Sequence, residues 1–291
     1  MQNVAMKRRP TGADWLPLAH TEGRAVEAPT GEAFRTEWID FEKGIRVGNL
    51  EPHERITRIL KFRLEEEYGT GFVTDRWGRG VYWQWICWVP RADRDAKPVS
   101  SNVNFGCAKL FISQDRPARV FQCGLQVERG ASRYSADSGE SGAGDVPLQE
   151  DWDWHRLLKQ CAAHTPLDDQ LRRLVGKEGF VARVWGWPGA PSFTAANYKS
   201  ALQIRQAART APRDRWIGFQ LYYPMPEPEV RATGGFDFVQ AIMGAFSEVI
   251  PAMNLCMQVT LASARPRSAL GRGSAIPSGT TPDRPPRPLK P

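Results

Sequence analysis

The chain has 291 residues, of which 41% are hydrophobic and 10% aromatic, enough for one large domain or two small ones with a packed core. It has no run of eighteen apolar residues, and its first twenty residues lack the apolar segment of a secretory signal, so we expect a soluble, cytoplasmic protein without a membrane span. Of the net charge of +7, residues 1–9 contribute +3 and residues 263–291 contribute +5, which leaves about −1 for residues 10–262. The charge therefore does not predict a basic groove in the body, and nucleic-acid binding through the basic termini is a weaker alternative.

The residues that usually hold metals or cofactors are sparse and scattered. Neither the five cysteines nor the four histidines have the spacing of a zinc site, and we expect reduced, buried thiols. No phosphate-binding loop, G-x-S-x-G or H-E-x-x-H motif is present. We therefore predict no metal and no cofactor, and no motif identifies a family.

The N-terminal third predicts an irregular arm over residues 1–33, a short strand near residues 37–41 and a helix over residues 52–68. The helix has apolar residues at helical spacing and ends at Gly69. Its last turn, Glu65 to Glu67, has the unfavourable sign for a helix C-terminus. These carboxylates are either a solvated face or part of a site.

Residues 80–89, 103–112 and 119–128 predict three strands of an antiparallel meander at the centre of the domain. In the third strand Gln122, Gln126 and Glu128 alternate with apolar residues, which indicates one dry face and one wetter face. In the first strand alternation puts Trp83 and Trp85 on one face, with other large side chains on the opposite face. Such a strand needs cover on both sides, from another layer of the fold or from a ligand.

The turn that precedes the first strand, residues 75–80, is predicted from its glycines. It places two arginines and a tryptophan at a loop tip beside the meander, where binding residues tend to lie. An Arg–Trp cluster can clamp an anion or stack on a ring. The candidate binding residues are Arg76, Trp77, Arg79, Trp83 and Trp85.

Residues 131–150 are rich in Ser and Gly and predict either a flexible linker or an insertion within one domain. The elements predicted after it are helices at 152–163, 167–176, 193–210 and 236–250 and strands at 180–187 and 216–223. From residue 263 the chain is basic and Pro-rich, which predicts a disordered tail. We expect residues 34–262 to form a single α+β domain, in which the antiparallel meander is extended by the later strands and helices pack mainly on one face.

Two functions fit these features. The first, slightly favoured, is a non-catalytic binding or accessory module that uses the aromatic and arginine surface to hold a protein partner or an anionic or aromatic ligand. The second is a hydrolase or nucleic-acid-processing enzyme that uses Asp75 and Glu128, or the Glu65–Glu67 group, with or without a divalent metal ion. The restriction-type nuclease pattern is incomplete, because Glu128 is followed by Arg129 and Gly130 and the expected lysine is missing.

Overall fold

The computed structural model describes residues 28–98, 103–129, 152–212 and 215–263. The predicted Ser/Gly-rich segment, most of the N-terminal arm and the basic tail after residue 263 lie outside these residues. Within them the chain forms nine strands, which are β1 (Ile39–Asp40), β2 (Gly44–Arg46), β3 (Phe72–Arg79), β4 (Tyr82–Pro90), β5 (Lys109–Asp115), β6 (Val120–Arg129), β7 (Val181–Trp185), β8 (Ser192–Phe193) and β9 (Ile217–Pro226). The helices are α1 (Ile56–Tyr68), α2 (Arg91–Asp95), α3 (Trp152–Gln160), α4 (Pro166–Lys177), α5 (Leu202–Thr210), α6 (Glu227–Ala232) and α7 (Gly235–Asn254).

All nine strands belong to one sheet, and neighbouring strands in it are antiparallel. The consecutive strands β3, β4, β5 and β6 form the predicted meander, and β6 then pairs along its whole length with β9, which pairs with β7. One edge of β4 pairs with β3, and β2 and β5 share its other edge. The strands before and after residues 130–151 are therefore neighbours in the same sheet.

One face of the sheet carries the helices and the main hydrophobic core, which confirms the predicted α+β class. Trp88 illustrates how the layers join. Its ring is fully buried and lies 6.0 Å from that of Phe246 in α7, and its indole N–H donates to the carbonyl of Thr57 in α1 (3.3 Å). A fully buried tryptophan with a satisfied N–H is the arrangement that makes the core both apolar and specific.

Helix α7 is long and apolar enough to cross a membrane, but half of it is buried inside the protein. Its buried stripe includes Phe238, Val239, Ile242 and Phe246, and it packs against β6 and β9. It is thus the core helix of the sheet. Phe236, in the first turn, is 39% exposed, and the helix continues beyond the predicted end at residue 250, through Pro251 to Asn254.

Two other predicted boundaries change. The helix expected over 193–210 starts only at Leu202, because Ser192–Phe193 pair with β7 as β8. The strand expected over 216–223 continues through two prolines to Pro226. β7 pairs with β9 only as far as Tyr222, so these prolines lie where that edge has no described partner strand, which is where a sheet tolerates proline.

The predicted turn at residues 75–80 is wrong for most of its length, because these residues continue β3 as far as Arg79. Only Gly80, with φ of 61°, lies in the tight turn to β4. The strand expected over 103–112 begins only at Lys109. Val103 and Cys107 instead lie in a turn that packs on the second face of the sheet against Cys87 and Phe111.

Candidate functional site

A β-bulge in the first hairpin separates the two tryptophans that sequence alternation placed together. Trp77 pairs with Trp85, but the next pair is Gly78 with Trp83, so Gln84 is an extra residue in β4. An extra residue reverses the alternation of the side chains beyond it. Trp83 therefore packs against the main core, while Trp85 points to the opposite face of the sheet.

A groove of about 890 Å³ lies on the face of the sheet that the core helices do not cover. Its floor is the wetter face of β6 together with neighbouring side chains, which are Ser113, Gln122, Gln126, Glu128, Arg183 and Gln220. Its walls carry five aromatic rings, which are Trp77, Trp85, Phe105, Trp185 and Trp216. Below, "the groove" means this cavity, and "the floor" and "the walls" mean these two sets.

The floor is a continuous hydrogen-bonded network that crosses the sheet. The indole N–H of Trp85 and the amide of Gln220 both donate to Oε1 of Gln126 (3.1 and 2.5 Å). Arg183 donates to Oε1 of Gln220 from Nε (2.9 Å) and from Nη2 (2.7 Å). These hydrogen bonds link four strands, β4, β6, β9 and β7. Each side chain of the network is held in its orientation by the hydrogen bonds to its neighbours.

Glu128 forms the other half of the network. Its Oε1 accepts from Gln126 Nε2 (2.8 Å) and from the indole N–H of Trp216 (3.2 Å), and its Oε2 accepts from the ammonium of Lys109. Lys109 is 1% exposed and Glu128 5%. Burial by itself would lower the pKa of Lys109, but the Glu128 carboxylate outweighs this effect and raises that pKa, so Lys109 carries its charge at neutral pH.

The free hydrogen-bonding capacity of the floor consists mainly of donors. The side-chain oxygens of all three glutamines accept two hydrogen bonds each, those of Gln122 coming from Ser113 Oγ (3.2 Å) and Arg183 Nη2 (3.4 Å). Nε2 of Gln122 and Nη1 of Arg183 donate to no described residue. Because a carbonyl oxygen has two lone pairs, these amides can offer a ligand only N–H groups.

Arg183 is a half-buried cation without an ion-pair partner among the described residues. Two glutamine oxygens and the ring face of Tyr222, 5.3 Å from the guanidinium carbon, hold it in place. Lys109 compensates Glu128, and the other two charged residues that line the groove, Asp115 and Arg116, have opposite signs. Arg183 therefore sets the sign of the charge that the floor presents.

The position of Trp185 in the wall of the groove depends on a glycine. The ring of Trp185 lies on Gly218, where a β-carbon would come within 2.6 Å of the indole nitrogen. Gly218 pairs with Glu128 on one side and with Trp185 on the other. The absence of a side chain at residue 218 is what allows the tryptophan to lie flat against the sheet beside the floor.

The structure divides the predicted binding residues. Trp77, which is 67% exposed, and Trp85 line the groove. Arg76 lies across the ring of Trp83, 4.2 Å from its centroid, on the other face. Arg79 is exposed at the end of β3 and does not line the groove.

The candidate carboxylates are also separated. Glu128 is in the floor, whereas Asp75 accepts from the amide of Arg76 (2.7 Å) and contacts Asn104 at 3.5 Å. The Glu65–Glu67 group belongs to α1 on the core face, where Glu65 accepts from the amide of Phe72 (3.0 Å). The described carboxylates of this set therefore do not converge on one point of the groove.

Most of the site was not predicted from the sequence, namely Lys109, Arg183, Gln220 and the wall residues Phe105, Trp185 and Trp216. Two weak signals were present. Lys109 interrupts an apolar run, where an unpaired lysine would be costly, and Arg183 and Trp185 alternate with Ala182 and Val184. Neither signal identifies its partner, because Glu128 lies 19 residues after Lys109 and Gln220 lies 37 residues after Arg183, each on another strand.

No protein-family model matches the chain, and no curated protein and no solved structure matches it either.

A second cluster of ionisable groups lies between α2 and α3. Asp93, Asp153 and Cys107 are close enough to hold a metal ion, but the ammonium of Lys97 already lies among them, hydrogen-bonded to Asp93 and to Oδ2 of Asp153 (3.2 Å). It is also 3.1 Å from Oδ1 of Asp153, without hydrogen-bond geometry. Asp93 also accepts from the amides of Gln258 and Val259. The cluster thus ties α2, α3 and the C-terminal segment together as a buried ion network.

The thiols offer no activated nucleophile. All five cysteines are buried, and burial raises the pKa of each thiol, to about 12 for Cys107 and Cys161. A thiol needs a lowered pKa to react as a thiolate at neutral pH.

Asp153 makes the stability of the buried network of Asp93, Lys97 and Asp153 depend on pH. Burial, together with the nearby Asp93 carboxylate, raises the pKa of Asp153 to about 7, so between about pH 4 and pH 7 the folded protein binds a proton that the unfolded chain does not. The contribution of Asp153 to the free energy of unfolding therefore falls as the pH rises through this range. We expect Asp153→Asn to remove this fall, so that the variant gains stability relative to the wild type from pH 4.5 to pH 7.5 in urea titrations. The control is Asp95→Asn at an exposed position of α2, and parallel pH profiles for the wild type and Asp153→Asn would contradict the assignment.

Proposed function

We propose that this protein is a non-catalytic, cytoplasmic binding or accessory protein and that the groove holds its ligand. The observation that carries the proposal is a buried hydrogen-bonded network with free donors, under an open groove with aromatic walls. A volume of about 890 Å³ is within the range of ligand sites, which place a few fixed polar groups among apolar and aromatic walls. We further propose that residues 34–262 act as one domain, since β6, which precedes residues 130–151, pairs with β9, which follows them.

The cost of burying polar groups supports a ligand site over a purely structural face. Lys109, Gln122, Gln126, Glu128 and Gln220 are each 5% exposed or less. Burying polar groups is unfavourable unless they are paired, and apolar residues would cover a sheet face at lower cost. A fully connected network instead holds side chains rigidly, which reduces the ordering cost of binding.

The enzyme alternative keeps one observation in its favour, which is that Glu128 lines the groove. Against it, the Glu128 carboxylate already accepts three hydrogen bonds, including one from a paired lysine, and Asp75 is engaged elsewhere. A general base must be able to turn toward the proton that it removes, and these three hydrogen bonds hold the Glu128 carboxylate in place. We therefore favour binding over catalysis.

A thermal-shift screen of the full chain tests this function. The compounds are single-stranded oligonucleotides, mononucleotides, neutral and acidic oligosaccharides, and acidic peptides. A ligand at about 100 times its Kd is expected to raise Tm by about 5–10 °C. The shift should be lost in Arg183→Met and kept in Arg173→Met, which removes an arginine from the helical layer that pairs with Glu178 and Glu248.

Three outcomes of the screen would count against the proposal. The first is that no compound class shifts Tm, and the second is that the shift survives in Arg183→Met. The third is turnover of the bound compound that is lost in Glu128→Gln while binding remains, which would replace the binding protein by the enzyme.

A further inference from the structure

We propose that the ligand of the groove is a single-stranded nucleic acid. Arg183 and Gln122 hold a phosphate, and bases stack on Trp77 and Trp85 at one side of the groove and on Trp185 at the other. This inference rests on the proposed binding function and names its ligand class. Two features of the described residues carry it, namely the chemistry of the floor, with an unpaired cation and an excess of donors, and the placement of the rings in the walls.

The first feature is the chemistry of the floor. Arg183 has no carboxylate partner among the described residues, and the free groups of the glutamines and Arg183 are N–H donors. A ligand that meets these groups must supply acceptors and negative charge. A phosphate has acceptor oxygens and no donor, and planar guanidinium groups bind phosphate well.

The second feature is the span of the walls. The strands β4 and β7, which carry Trp85 and Trp185, are separated by four steps across the sheet. At 4.7–4.9 Å a step, their axes are about 19 Å apart. Because one planar ring cannot reach both walls, the ligand needs several rings along its length. Trp85 and Trp216 donate their N–H groups to the floor, which fixes the rings while leaving them half-exposed to the groove.

These features discriminate between ligand classes. A neutral oligosaccharide brings hydroxyl donors, for which the saturated glutamine oxygens have no free lone pair, and an unmet donor is costly. An acidic peptide supplies carboxylates but no regular series of rings. A single-stranded nucleic acid supplies both, and stacking on aromatic side chains across a sheet is a general way to bind unpaired bases.

The charge distribution of the sequence is compatible with this ligand. The body carries about −1 and the two ends carry +3 and +5. We expect the groove to bind through stacking and few phosphate contacts, while the basic ends add salt-sensitive attraction of low specificity. The two contributions can be separated by substitutions in the groove.

Fluorescence anisotropy of the full chain with labelled 12-nucleotide single-stranded DNA and RNA tests the proposal, over a series of salt concentrations. Trp77→Ala is expected to raise Kd about 5- to 150-fold, the range for loss of one stacked base. Arg183→Met is expected to raise Kd about tenfold or more and to reduce the slope of log K against log salt by about 0.7, with partial recovery in Arg183→Lys. Arg173→Met is the matched control and should bind like the wild type.

The ligand controls decide between stacking and simple charge attraction. An abasic phosphodiester 12-mer and the same sequence as a duplex are expected to bind at least tenfold more weakly than the single strand. Equal affinity for the abasic oligomer, or unchanged affinity in the Trp77→Ala/Arg183→Met double variant, would overturn the proposal and assign the binding to the basic ends. Circular dichroism of each variant checks that the fold is intact, which we expect because Trp77 is 67% exposed.

Failure of this inference is distinguishable from failure of the binding function. If oligonucleotides do not bind but an acidic saccharide or a mononucleotide shifts Tm in a manner dependent on Arg183, the ligand class is wrong and the groove remains a binding site. If no compound binds in the groove, both proposals fail.

Discussion

Replacing Lys109 by methionine is expected to lower the free energy of unfolding by about 3–5 kcal/mol. The substitution keeps an unbranched side chain of similar length but leaves the buried Glu128 carboxylate without a counter-charge. The hydrogen bonds from Gln126 and Trp216 remain, but neither donor is charged. Breaking one side of a buried pair costs more than the pair itself contributes, because the remaining ion stays desolvated.

The double variant Lys109→Met/Glu128→Gln separates the cost of leaving Glu128 unpaired from the contribution of the ion pair itself. It removes both charges and keeps a side-chain oxygen that can accept from Gln126 and Trp216. We expect it to recover most of the stability that Lys109→Met loses, as measured by urea unfolding followed by tryptophan fluorescence. Lys43→Met is the control, since Lys43 is 65% exposed and its ion pair with Asp40 should contribute no more than about 1 kcal/mol. A double variant no more stable than Lys109→Met would show that lost packing, not an unpaired charge, explains the defect.

The elements that sequence analysis predicted well have local causes. Helix α1 follows from apolar residues at helical spacing and from Gly69, which ends it at φ of 60°. Helix α4 begins at the N-cap Thr165, whose hydroxyl accepts from the amide of Asp168 (3.2 Å). Strand β6 follows from its regular alternation. In each case the residues that determine the structure lie within a few positions of one another.

The groove could not be predicted because its determinants lie on partner strands. Gly78 allows the bulge in the first hairpin, since a β-carbon there would lie 2.6 Å from the Cα atom of Trp83. The bulge turns Trp83 toward the core and leaves Trp85 in the groove. The alternation of residues in β4 alone does not predict this difference. The polar character of Gln122, Gln126 and Glu128 indicated a wet face, but their burial depends on strands that follow about 50–100 residues later.

Gly124→Ala is expected to destabilise the protein by about 3 kcal/mol or more, although it adds only one methyl group. Gly124 lies in β6 between Phe111 of β5 and Tyr222 of β9. A β-carbon there would lie 2.1 Å from the carbonyl oxygen of Leu221 and 2.7 Å from the Cα atom of Tyr222. Both atoms belong to the backbone of the neighbouring strand, so no side-chain rotation relieves the overlap.

Relief at Gly124 would require β6 and β9 to move apart in the middle of the sheet, directly under the glutamines of the floor. The matched control is Gly244→Ala in α7, where no heavy atom lies within 4 Å of the added carbon and the residue is exposed. Alanine in a helix interior is expected to stabilise the protein there by about 0.5–1 kcal/mol. In urea unfolding, the same substitution should therefore lower the free energy of unfolding at residue 124 and raise it at residue 244. A Gly124→Ala variant as stable as the wild type would show that β6 and β9 are not packed this closely.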